Sequence, residues 1–163
     1  MKAVLTTVFA LLASATMTSA ACPPGSQVLV SCHLKDGHKQ LTTCLVGTSA
    51  TYTFGTPEKE PELALTRHVR DVHMTPWAGV GRAIWESFSF ENNGVIYEVY
   101  YSIDRASGSV FDGGVIVWQD GKELAHLECD AGTVITSGAF LPLFEAKEAA
   151  GQVFLRETQS WSD

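Results

Sequence analysis

The sequence predicts an all-β domain, a small antiparallel β-barrel or sandwich of about eight strands followed by a short C-terminal helix. Three observations carry this. Apolar and polar residues alternate with period two from residue 26 onward. Asp36-Gly37, Asn93-Gly94 and Asp120-Gly121 are type I′ hairpin dipeptides, because these residues tolerate positive φ. The runs between turns are short and closely spaced, which suits a sandwich or barrel rather than βαβ units.

Residues 1–21 read as a secretory signal. Met1-Lys2 is a positive n-region, Ala3 to Ala13 is mostly apolar, and Ser14 to Ala21 supplies small residues for cleavage after Ala20 or Ala21. The apolar run is too short to span a bilayer. The expected location is the periplasm or the extracellular space. A lipoprotein anchored at Cys22 is the alternative, although Ser19 stands where a lipobox carries a large apolar residue and lipidation would leave an odd thiol.

Strands are expected at Gln27 to Leu34, Lys39 to Val46, Thr51 to Gly55, Glu62 to Thr66 and His68 to His73. They continue at Ile84 to Glu91, Val95 to Ile103, Gly114 to Trp118 and Glu123 to Cys129. Between them, the prolines of Thr56 to Pro61 forbid strand pairing. With Asn93-Gly94 as a two-residue loop, Phe90 faces Tyr97, Phe88 faces Val99, Glu86 faces Tyr101 and Ile84 faces Ile103. Trp85, Ser87, Ser89 and Glu91 then occupy the opposite face. The Asp36-Gly37 register sets Cys32 opposite Leu41 and Cys44 opposite Leu29. Cys129 points inward from the last strand. Of the three pairings four cysteines allow, this register favours Cys32–Cys129 across the core and Cys22–Cys44 outside it; a one-residue bulge would reverse the preference.

After Cys129 the pattern changes. "PLFEAKEAA" at Pro142 to Ala150, stopped by Gly151, predicts a short helix, and the last eight residues read as a frayed tail. The expected organisation is a signal (1–21), an antiparallel β domain (22–133) and a C-terminal extension carrying the helix (134–163).

Without Lys2 the chain keeps 10 of its 11 basic residues against all 18 acidic ones, a net charge of 10 − 18 = −8. Such a chain avoids nucleic acid and anionic membrane, and meets cationic partners at favourable rates. No transmembrane segment beyond the signal is expected, and the sequence sets no oligomeric state.

Five histidines, at positions 33, 38, 68, 73 and 126, lack Cys-x-x-Cys or His-Glu-x-x-His spacing, so no metal or cofactor is expected. There is no Gly-x-Ser-x-Gly, and pairing all four cysteines leaves no free thiol nucleophile. Glu86 is the one carboxylate on an apolar face. It is either an acid/base group in a barrel mouth or a strand-end residue that reaches solvent or pairs with Tyr101. "TPWAGVGRAIW", residues 75–85, is not a phosphate loop, lacking the downstream glycine and Lys-Ser/Thr. As a recognition loop it offers Trp77, Gly79, Gly81, Arg82 and Trp85 to a partner. As a structural corner it lets Trp77 plug the end of the fold.

The layout resembles the periplasmic and lipid-anchored inhibitors of C-type lysozyme. The likeness lies in "VLVSCHLKDGHKQLTTC", "ATYTFG", "PELAL", a glycine-bearing loop and "VIVWQDGKELAHLEC", over residues 28 to 130. It is similar also to secreted bacterial proteins to which no activity attaches. The inhibitor family implies an eight-stranded antiparallel barrel with a first-to-last disulfide, and a Ser-Gly-x-x-Tyr loop that enters the enzyme cleft. Here Ala78-Gly79-Val80-Gly81-Arg82 occupies that place with neither the serine nor the tyrosine, so the inhibitory residues do not carry over. The expected function is non-catalytic binding through the 75–85 loop, to an envelope enzyme such as a cationic lysozyme or to a glycan. A small enzyme using Glu86, or a structural envelope protein without a ligand, are the alternatives.

Overall fold

The computed structural model describes residues 22–163, so the expected signal at 1–21 lies outside the described residues. The fold is all-β. Strands β1 (Gln27–Leu34), β2 (Lys39–Val46), β3 (Ser49–Gly55) and β4 (Leu63–His68) build the first sheet. The second contains β5 (His73–Thr75), β6 (Ala83–Asn92), β7 (Val95–Asp104), β8 (Val110–Gln119) and β9 (Lys122–Glu128). The short β10 (Ile135–Thr136) returns to β1, giving the orders β10-β1-β2-β3-β4 and β5-β6-β7-β8-β9, antiparallel throughout. The helix α1 (Leu143–Ala149) follows, then a ribbon of β11 (Val153–Leu155) and β12 (Ser160–Ser162).

The two sheets share one core and form a sandwich, not a closed barrel. Among the described residues the bridge Leu34–Cys129 joins their ends. Leu41, Tyr52 and Leu65 from the first sheet meet Phe88, Phe90, Val99 and Val115 from the second. Phe88 and Phe90 are fully buried, each stabilising the fold by roughly 1.5–3 kcal/mol through area removed from water. Tyr52 stacks on Phe90 and Tyr97 at 5.6 Å.

Turn chemistry sets the registers. Asn93 and Gly94 have φ of +53° and +78°, and the hairpin they close pairs Phe90 with Tyr97, Phe88 with Val99 and Glu86 with Tyr101, as the sequence predicts. In the first hairpin Cys32 faces Leu41, but Leu29 forms a bulge and Val28, not Leu29, lies opposite Cys44. Both Leu29 and Val30 are thereby driven into the core. The bulge lies beyond Cys32, so the disulfides are still Cys32–Cys129 and Cys22–Cys44. Two disulfides place the described domain in an oxidising compartment. No helix among the described residues is long and apolar enough to cross a membrane.

Two other expectations are corrected. His68 to His73 is not a strand. The His68 ring, at the end of β4, accepts the Arg70 N–H and caps a 3-10 turn at Val69–Asp71, so that of this stretch only His73 pairs in β5. The final residues are not a frayed tail either. Trp161 packs between Phe144 and Phe154, at 5.0 and 5.2 Å, and its indole N–H donates to Met74 O at 2.7 Å. Near it, the buried Lys147 ammonium donates to Val69 O (2.9 Å) and Val72 O (2.6 Å) and lies 4.8 Å from the Trp161 ring centre. Burial lowers its pKa to about 8.

Candidate functional site

The stretch between β5 and β6 does not act as one unit. Its two tryptophans serve different surfaces, because Trp85 lies within β6 on the solvent face of the second sheet while Trp77 precedes the strand. Ala78 to Arg82 are all exposed, with Gly79 and Gly81 at φ of +88° and +97° and Val80 at 73% exposure, so the loop projects into solvent. The Trp77 indole N–H donates to Val80 O at 3.0 Å and closes the loop on itself.

Arg82 has an internal partner. Its Nε and Nη2 donate to Asp104 Oδ2 at 3.1 and 2.8 Å. The other carboxylate oxygen accepts the Ala106 and Ser107 N–H groups. These donors, Arg82 first, hold the Asp104 carboxyl below the usual carboxylate range. The ion pair thus fastens the 75–85 loop to the turn after β7. Arg105 from that turn sets its guanidinium 5.5 Å from the Trp77 ring centre.

On its other side Trp77 meets Phe140, with ring centres 6.3 Å apart. Between the loop and the segment leading into α1 opens a cleft of about 500 Å³. Trp77, Phe140, Pro142 and Phe144 supply apolar wall, Glu145 and Arg156 place opposite charges on its lining, and Glu86 reaches it from β6. Phe140 is 58% exposed although it sits in an apolar run. The cleft is wide enough for a small ligand or a protruding side chain.

Glu86 is 2% exposed. Its Oε2 accepts the Leu141 N–H at 2.8 Å and lies 2.7 Å from Tyr101 Oη, and the Trp77 N–H also stabilises the carboxylate. Tyr101 Oη sits 2.9 Å from Ala139 O as well. One hydroxyl proton cannot serve both acceptors. A protonated Glu86 completes the set by donating to Tyr101, which then donates to Ala139 O. Burial raises the Glu86 pKa, against the hydrogen bonds that lower it. The group therefore acts as a tether between β6, β7 and the 139–141 segment, and its donors come from the fold itself.

Sequence reasoning placed Glu86 opposite Tyr101 and singled out Trp77, Gly79, Gly81, Arg82 and Trp85. The structure brings Trp77 to the cleft, leaves Gly79 and Gly81 in the projecting loop, ties Arg82 to Asp104 and sends Trp85 to another face. It adds Phe140 and Phe144, which the sequence marks only by the apolar run "GAFLPLF" leading into the helix, and Arg156, which no local signal marks. The histidines are dispersed, and no three His, Cys, Asp or Glu side chains among the described residues converge as metal ligands. Compared with known protein families, curated proteins and solved structures, the chain matches none.

Proposed function

We propose that the protein is a non-catalytic binding protein, secreted to the periplasm or beyond, which receives a protein or glycan partner in the cleft between the 75–85 loop and the 137–145 segment. The observation that carries this is the cleft wall formed by half-buried Trp77 and exposed Phe140, backed by a loop that two internal contacts, Trp77 to Val80 and Arg82 to Asp104, hold in place. Rigid aromatic faces give large contact area at small entropy loss, and ring faces suit both sugars and apolar side chains. A preorganised loop adds affinity by lowering the ordering cost of binding.

The inhibitor-like form of the proposal names a cationic lysozyme as partner, by charge and layout. The measurement is peptidoglycan lysis by C-type lysozyme with excess protein, wild type against the double variant Trp77→Ala/Phe140→Ala. Slowed lysis by wild type and not by the variant supports it; unchanged lysis with wild type removes lysozyme as the partner.

A second reading, acid/base catalysis by Glu86, draws on its raised pKa beside a cleft. It is the weaker one, because the carboxyl is nearly inaccessible and its hydrogen bonds go to Tyr101 and the backbone of Leu141 and Trp77.

A further inference from the structure

The solvent face of the second sheet has a composition unlike the rest of the surface. Alternation puts Glu91, Glu98, Asp112, Glu123 and Glu128 outward, and no lysine or arginine occupies an outward position on β5 to β9. None of these carboxylates is paired in a salt bridge among the described residues; the three present, Lys39–Glu62, Arg70–Asp163 and Arg82–Asp104, all lie elsewhere.

Between the acids lies an apolar and aromatic platform of Trp85, Ile96, Tyr100, Ile116 and Trp118. Two contacts fix its rings. Trp118 donates its indole N–H to Glu98 Oε2 at 3.0 Å, and Tyr100 Oη lies 2.8 Å from His126 Nε2. Gly114 makes the second arrangement possible, since a Cβ there would stand 2.4 Å from Leu127 O and 2.9 Å from Tyr100 Oη. With no side chain beneath it, the Tyr100 ring lies down across β8 instead of standing off the sheet. Trp85 and Ile96 are 44% and 41% exposed.

We infer that this face docks a basic protein. Ring faces flanked by unpaired carboxylates accept lysine and arginine side chains by ion pairing and cation–π contact together, whereas an acidic or neutral partner would leave the carboxylates unmatched. Three 10-residue strands flanked by two shorter ones span on the order of 700 Å², close to the ~800 Å² per partner of a standard-size interface. The inference does not rest on the cleft. The surfaces share no residue, and the sequence stretch that joins them contributes Trp77 to one and Trp85 to the other.

The test uses the full secreted chain, ¹⁵N-labelled, titrated with an octa-arginine peptide at low salt. Amides of β6 to β9 are expected to shift. The triple variant Glu98→Gln/Glu123→Gln/Glu128→Gln is expected to weaken binding at least tenfold. Its charge-matched control Glu58→Gln/Glu60→Gln/Glu157→Gln, on exposed turns away from the sheet, is expected to change it less than twofold. Trp118→Ala, which changes no charge, is expected to weaken binding about threefold, and Trp77→Ala/Phe140→Ala to leave it unchanged. Each variant's spectrum reports whether it retains the native fold. Equal weakening by the two triple variants, an unaffected Trp118→Ala, or shifts confined to other surfaces would overturn the inference.

Discussion

The β6–β7 hairpin and the C-terminal segment from residue 135 onward are built on different principles. The hairpin holds itself in register: Asn93-Gly94 fixes the turn, period two sorts the faces, and Phe88 and Phe90 enter the core. The C-terminal segment is held by single long-range anchors. Leu141 N–H reaches Glu86, Lys147 reaches two carbonyls of the 3-10 turn region, Arg70 reaches Ala150 O and Asp163, and Trp161 reaches Met74. The lesson is that the second region, without a strong local code, still supplies half of the cleft. The cleft wall at Phe140 therefore depends on these polar anchors together with Leu141 and Leu143, which enter the core.

Removing the covalent framework is the largest expected break. The Cys32–Cys129 bond spans 97 residues between the two sheets and Cys22–Cys44 spans 22. Chain-entropy arguments give losses of about 4–5 and about 3 kcal/mol for their Cys→Ala pairs. Urea midpoints should fall in that order; a larger fall for the Cys22–Cys44 pair would place the main constraint at the N-terminus instead.

A smaller and more local effect is expected at Lys147. Lys147→Ala leaves Val72 O without its donor and Val69 O with only the 3.4 Å Val72 N–H contact, at about 1–3 kcal/mol. Hydrogen exchange should rise at Gln152 and Trp161 while β6 and β7 stay protected; uniform loss of protection would contradict the division drawn above. Lys147 also sets a pH signature. Its folded pKa of about 8 lies below its ordinary 10.5, so the unfolded chain binds more protons between those values and stability rises with pH there. The window is best read below about pH 10, before ionisation of the buried tyrosines, whose pKa values are raised, begins to oppose it. Lys147→Met should flatten the rise.

The smallest effect is the most specific. Burial raises the Glu86 pKa above its unfolded value, so its contribution is fully present below about pH 4.5 and is lost as pH rises through the folded pKa. Glu86→Gln removes the charge; since both contacts fall on Oε2, its amide oxygen there keeps the Leu141 N–H bond but cannot donate to Tyr101. The variant should lie about 1 kcal/mol below wild type near pH 4 and overtake it by pH 8. A variant less stable than wild type at pH 8 would show that the carboxylate itself holds the 139–141 segment.

The same contrast explains what the sequence disclosed. Glu86 opposite Tyr101 and the disulfide partners were legible because dipeptide turns and alternation act over a few residues. The Leu29 bulge was not, because Val28 to Val30 are all apolar and period two cannot tell which of them is extra. "RETQSWSD" looked like a tail because the partners of Trp161, Met74 and Phe144, are 87 and 17 residues away and leave no local signal. For the candidate site, Trp77 was visible as an unusual residue in a loop. Phe140 was hidden in an apolar run that otherwise delivers Leu141 and Leu143 to the core.

The central claim is that the Trp77–Phe140 cleft is where this protein receives its partner. The direct measurement is a titration of the ¹⁵N-labelled protein with C-type lysozyme and, separately, with soluble peptidoglycan fragments, read at the Trp77 indole and the amides of Val80, Phe140 and Glu145. Saturable shifts at these positions with one of the two, abolished by Trp77→Ala/Phe140→Ala, are the predicted result. Saturable binding that leaves all four unmoved, or no binding of either at millimolar concentration, would contradict the claim.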